Sequence, residues 1–118
     1  MQVLYAAAGG ALGAASRFLI STLPLSDRGL PLPTFLANLI GCFIMGLIAA
    51  EAEARGMNPG LQIFLKTGFC GGLTTFSAFS AETVAMMEKG HTSGACLYVA
   101  ATVVLGFVAL YAGGQFVK

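Results

Sequence analysis

The sequence predicts an all-α integral membrane protein of four transmembrane helices, and three observations carry that prediction. Of its 118 residues, 57% are hydrophobic and only 9% are charged, whereas a soluble domain carries about a quarter charged residues. Too few polar side chains are present to cover a water-facing surface. The apolar residues fall into four stretches, each near the ~20 residues that a helical span needs. The connectors between them are short and combine charge with Gly or Pro, as loops do. Spans and connectors use nearly the whole sequence as one domain, leaving no room in it for a soluble catalytic unit.

The first span is expected over Val3–Leu23. Its start, "MQVLYAAAGG", lacks a charged n-region and a cleavage site, so it reads as part of the span and not as a removed signal. Ala6 to Ala15 is nearly all Ala and Gly, the composition that lets membrane helices approach closely. The connector "PLSDRGLPLP" holds three prolines and an Asp-Arg pair. The second span, Pro33–Ala50, contains one lone amide, Asn38 in "FLANLIGCF". After "EAEARGMNPG" comes the third span, Leu61–Met87, longer than a bilayer requires; "EKGHT" then leads into the fourth, Ser93–Val117. Gly41, Gly46, Gly106 and Gly113 punctuate the second and fourth spans.

Charge speaks to topology and excludes some partners. The formal net charge is +1, and no basic run exists to bind the phosphates of a nucleic acid. An even number of spans puts both termini and the second loop on one side of the bilayer. Arg55, Lys66 and Lys118 belong there, and Arg17, Arg28 and Lys89 belong opposite. The count is balanced, so the positive-inside bias that normally fixes orientation is absent. Either the first loop or an insertion partner sets the orientation, or the same chain inserts both ways and opposite copies pair. Dual topology is the expectation, with an isologous dimer about a two-fold axis in the membrane plane. Four helices of this size hardly enclose a polar path alone, which favours the same pairing. Cys42, Cys70 and Cys96 are widely separated without a CxxC or Cys/His spacing, and are expected to be small buried thiols.

The third span holds the anomalous stretch, "GFCGGLTTFSAFSAET" from Gly68 to Thr83. Paired glycines followed by β-branched threonines weaken a helix. If the helix opens here, backbone carbonyls lose their partners inside hydrocarbon, which is tolerated only in a protein interior or along a cavity. Freed carbonyls can also ligate a cation. The alternative is that Gly71-Gly72 serves close packing and the threonine hydroxyls bond back to the preceding turn. Phe76 and Phe79 lie three apart on one helical face, either as core or lipid-facing rings or as positive ring edges offered to an anion. Asn38 either joins helices or hydrogen-bonds a permeant species. Glu82, about a turn beyond Phe79, faces water or pairs. Tyr98 and Thr102 place two hydroxyls on one face of the fourth span.

These residues carry a family likeness. "GFCGGLTTFSAFSAE", with "GGALGAASRF" in the first span and "NLIGCFIMG" in the second, resembles the Fluc (CrcB) family of fluoride channels over most of the chain. The resemblance implies an antiparallel, dual-topology homodimer with two pores in a bacterial plasma (inner) membrane. Fluoride would leave the cytoplasm passively, relieving its toxicity. It further implies that Phe76 and Phe79 are the pore phenylalanines, Asn38 the pore asparagine and Arg17 the motif arginine of the first helix. The backbone carbonyls of Gly71 and Thr74, from both copies, would cage a structural sodium ion. Ser77, Glu82, Tyr98 and Thr102 correspond to a polar stretch flanking the rings. One departure is visible: the family typically reads TTFSTF, and Ala78 here lacks the hydroxyl of the second-last residue in that motif.

Rival functions explain less. A small multidrug-type proton-coupled exporter also has four helices, but needs a carboxylate in its first helix, where this chain has Arg17, and an aromatic cage, where it has no Trp. A non-transporting scaffold subunit needs no buried Asn or Glu. No enzyme is expected: Ser77 and Ser80 sit in no nucleophile motif, and His91 lies in the polar third connector beside Lys89.

Overall fold

Helix α1 (Gln2–Ser21) has 20 residues, and at 1.5 Å per residue it spans about 30 Å, the thickness of the hydrocarbon core. The computed structural model describes residues 1–24, 26–27 and 30–117; Arg28 and Lys118, two of the counted charges, lie outside the described residues. At the end of α1 the hydroxyls of Ser21 and Thr22 donate back to the carbonyls of Phe18 and Leu19, which satisfies acceptors that a helix end leaves open. The first connector then forms a minimal antiparallel ladder, β1 (Ser26–Asp27) against β2 (Leu30–Pro31), where the sequence suggested only loop.

Helix α2 (Leu32–Arg55) starts with Pro33 in its first turn, where a missing N–H costs nothing. It continues five residues past the expected end at Ala50. The run Glu51–Arg55 is made of good helix formers, and Arg55 pairs with Glu51 one turn earlier. Gly56 stops it with a positive φ of 76°. Asn58 caps the next helix by accepting from the N–H groups of Gly60 and Leu61 at 2.8 and 3.3 Å.

The third expected span is the least regular part of the chain. α3 (Pro59–Gln62) runs into a π-helical segment (Ile63–Cys70) and then into the short α4 (Gly71–Leu73). α5 (Phe76–Glu88) and α6 (Thr92–Val117) complete the fold. α1, α2 and α6 are each long and apolar enough to cross a membrane unaided. α5 closes with a Gly-centred turn: Gly90 has φ 84°, its N–H donates to Met87, and the His91 N–H reaches the Met86 carbonyl at 2.8 Å.

Helices pair through small residues. α1 lies against residues 59–73, α2 against α6, and α5 against α6. Gly9 of α1 faces Gly68, Gly10 faces Gly72, and Gly13 faces the backbone of Phe69 and Leu73. A Cβ on Gly68 would sit 2.8 Å from the Ala6 carbonyl oxygen, and one on Gly72 would sit 2.5 Å from that of Gly10. Backbone meets backbone along this seam, the membrane substitute for a hydrophobic core. Large apolar side chains instead point outward, among them Leu4, Phe18, Leu19, Phe107 and Phe116. Cys70 is buried and Cys42 half-buried, but Cys96 is exposed on α6, against expectation; in a lipid-facing position a small apolar thiol needs no burial in protein.

Candidate functional site

Between α4 and α5 two residues leave helical geometry. Thr74 has φ −85° and ψ 152°, and Thr75 has φ −148° and ψ 123°. The paired glycines are not the extended residues. Gly71 is helical at φ −64° and ψ −35°, and Gly72 is spent on the contact with α1. β-branched residues favour extended backbone, which is why the threonines take it.

Each backbone group freed here has an account to settle, because an unpaired one costs several kcal/mol in hydrocarbon. The Thr74 N–H and hydroxyl both donate to the Cys70 carbonyl, at 3.0 and 2.8 Å. Asn38 brackets Thr75: its Oδ1 accepts from the Thr75 N–H at 2.8 Å, and its Nδ2 donates to the Thr75 carbonyl at 3.3 Å. The amide thus imitates a neighbouring β-strand. The Arg17 Nε donates to the Gly72 carbonyl at 3.1 Å, so the first-helix arginine serves the end of α4. Thr75 also caps α5, its hydroxyl accepting from the Ala78 N–H at 3.1 Å. Ser77 is exposed, with its hydroxyl 3.3 Å from that of Thr75.

Carbonyls are left over, among them those of Gly71, Leu73 and Thr74. Helical geometry would give Gly71 the Thr75 N–H and Thr74 the Ala78 N–H, but both donors are engaged elsewhere. Among the described residues no other donor reaches either oxygen.

A groove of about 390 Å³ opens beside this stretch, lined by Asn38, Thr74, Thr75, Phe76, Phe79 and Thr102 among others. Phe76 projects into the open, 79% exposed, while Phe79 is buried at 9%. The two rings do meet, with centroids 6.0 Å apart, and Phe79 continues the contact to Tyr98 at 5.0 Å. The Thr102 hydroxyl is buried at the groove without a hydrogen-bond partner among the described residues.

Beyond the rings lies a second polar cluster. Glu82 accepts from the Thr34 hydroxyl on one carboxylate oxygen at 2.9 Å and from the Tyr98 hydroxyl on the other at 3.0 Å. Among the described residues Glu82 therefore pairs with hydroxyls and not with a cation. Tyr98 is 4% exposed and packs with Phe79, Met86 and Ala95. Thr34 did not emerge from the sequence reading. A signal existed, since Thr34 and Asn38 are four apart on one face of an otherwise apolar α2.

Fold and site together define a multi-pass helical membrane protein with polar groups gathered where α4 gives way to α5. The chain belongs to the CrcB family: the family profile described as "CrcB-like protein, Camphor Resistance (CrcB)" matches residues 4–114. It is 41% identical to a protein of Methylobacillus flagellatus named fluoride-specific ion channel FluC, over 99% of this chain and 94% of that protein. A Chlorobium phaeobacteroides protein of the same name is 44% identical, over 93% of this chain and 87% of its own length. One from Shewanella amazonensis, also so named, is 40% identical over 98% and 95%.

Proposed function

We propose that the chain is a fluoride channel of a bacterial plasma (inner) membrane, carrying fluoride passively out of the cell. Two copies pair antiparallel in this reading and form two pores. The observation that carries it is the series of groups beside the interrupted helix: the Asn38–Thr75 bracket, the Phe76–Phe79 rings, and the Thr34–Glu82–Tyr98 cluster. Relatives at about this similarity over nearly full length are named for that activity.

Fluoride is small, strongly hydrated and a strong acceptor, so a pore must replace its water with donors placed along a constriction. Asn38 has a second Nδ2–H beyond the one used on Thr75. Thr102 has an unpartnered hydroxyl, Ser77 adds another, and the rings offer positive edges. Among these groups none is a fixed cation, so an ion that enters can leave. Ala78 subtracts one hydroxyl from the series. Arg17 contributes through structure, holding the end of α4 by the Gly72 carbonyl.

Pairing is supported by what one copy leaves open. Phe76 is largely exposed and the groove has no cover on one side, which a second copy would supply. The same reading gives the Gly71 and Thr74 carbonyls their use. Hard cations take oxygen ligands, and two unpartnered carbonyls from each copy fit a shared sodium site, while two from one chain alone are too few. Bound sodium supplies a fixed positive potential near the anion path.

The test is purified protein in liposomes loaded with fluoride or chloride. Fluoride efflux without a pH gradient, and little chloride efflux, is the expected result. Vesicles that stay tight would favour a scaffold, and efflux that needs a proton gradient would favour a coupled exporter.

A further inference from the structure

A second cavity, of about 230 Å³, is lined by Pro31, Glu82, Ala85, Met86, Lys89 and His91. Residues 82, 85, 86 and 89 recur at helical spacing, so the cavity follows one face of α5. At its deep end is the carboxylate held by Thr34 and Tyr98. At its outer end are Lys89 and His91, both exposed and flanking the Gly90 turn that ends α5.

Charge along this cavity is unfavourable to an anion except at one place. Glu82 accepts a hydroxyl hydrogen bond on each oxygen, and neither partner carries a positive charge. The C-terminal end of α5 also points here and adds the negative end of its macrodipole. Lys89 is the one formal positive charge among the described lining residues. We propose that this cavity is an anion entry vestibule and that Lys89 is its collecting charge. Its role is to offset Glu82 and the helix end so that fluoride concentrates at the mouth. This rests on the fluoride-channel reading and adds the route by which the ion reaches the ring pair.

A charged mouth acts on entry rate and is screened by salt, whereas a structural lysine is indifferent to salt. The experiment is fluoride efflux from liposomes at pH 7.5, at ionic strengths near 0.01 M and near 1 M, where the Debye lengths are about 30 and 3 Å. The proteins compared are the native chain, Lys89→Arg, Lys89→Gln, Lys89→Glu and His91→Lys. At low salt, flux should follow charge: Lys89→Glu lowest, then Lys89→Gln, then native and Lys89→Arg together, with His91→Lys highest. Steps of about threefold per unit charge are expected for a charge several Å from the path in water. At high salt the five should converge. Flux that ignores the charge order, or a Lys89→Gln loss that persists unchanged near 1 M, overturns the proposal while leaving the channel reading intact. A native protein that passes no fluoride under either condition overturns that reading, and the vestibule with it.

Discussion

The two halves of the run from Pro59 to Glu88 come from adjacent sequence and behave differently. Residues 59–73 bury a glycine face against the backbone of α1, and their side chains contribute little to the groove beyond Cys70. Residues 76–88 pack through Phe79 and Met86 and present Phe76, Ser77 and Glu82 as polar or aromatic functional groups. The first half is held by backbone contact with α1 and by the Arg17 hydrogen bond to Gly72, and the second presents the polar and aromatic side chains. Between them stand two threonines whose backbone is served by side chains from α1 and α2. Under the proposed reading, anchoring and ion conduction should be separable by mutation.

The largest effect is expected from breaking the anchored half. Gly72→Val places a branched side chain where even a Cβ would sit 2.5 Å from the Gly10 oxygen. Neither backbone can yield locally, so the loss should exceed the ~1–3 kcal/mol usual for overpacking. Size-exclusion profile and thermal stability in detergent should both collapse, with no species left to assay for flux. Retention of the native melting temperature would show that the seam is not what anchors this half.

The junction should respond next. Asn38→Leu leaves the N–H and carbonyl of Thr75 without partners, at about 1–3 kcal/mol for each buried group. A lowered melting temperature together with fluoride flux reduced at least tenfold is the expected pair of results. Loss of flux at unchanged stability would mean that the amide acts on the ion and not on the backbone.

The sharpest contrast lies within the ring pair, where the stability effect is smallest. Phe76 is 79% exposed and Phe79 is 9% exposed, so Phe79→Ile should destabilise by about 1–2 kcal/mol through lost packing while Phe76→Ile costs almost nothing. Both should cut fluoride flux with the dimer intact on cross-linking. Unchanged flux in both removes the rings from the path.

Much of this was legible in the sequence because hydrocarbon imposes few solutions. Apolar length located the helices, and Asn38, Glu82 and Tyr98 stood out because a polar group at depth must find a partner. What escaped notice has physical reasons. The glycine pair and the threonine pair are adjacent and both weaken helices, and only backbone angles show that Thr74 and Thr75 are extended while the glycines remain helical. The π-helical widening over Ile63–Cys70 depends on hydrogen-bond register, which leaves no residue signature. α2 runs past Ala50 because a charged segment outside the lipid can still be helical when its charges pair. Thr34 was overlooked because a lone hydroxyl in a span can always satisfy itself on its own turn.

The seam along α1 reaches further than packing. Gly9 and Gly10 interlock with Gly68 and Gly72 at near-contact distance, and Arg17 grips the Gly72 oxygen two turns beyond Gly10. Sliding the first rod by a single residue would put a methyl where only hydrogen fits and would pull the guanidinium off its mark. α1 thereby works as a ruler for the interior. It sets the depth of the Gly72 carbonyl and of the extended threonines beyond it, so small changes far out on that rod would be felt at the junction of α4 and α5.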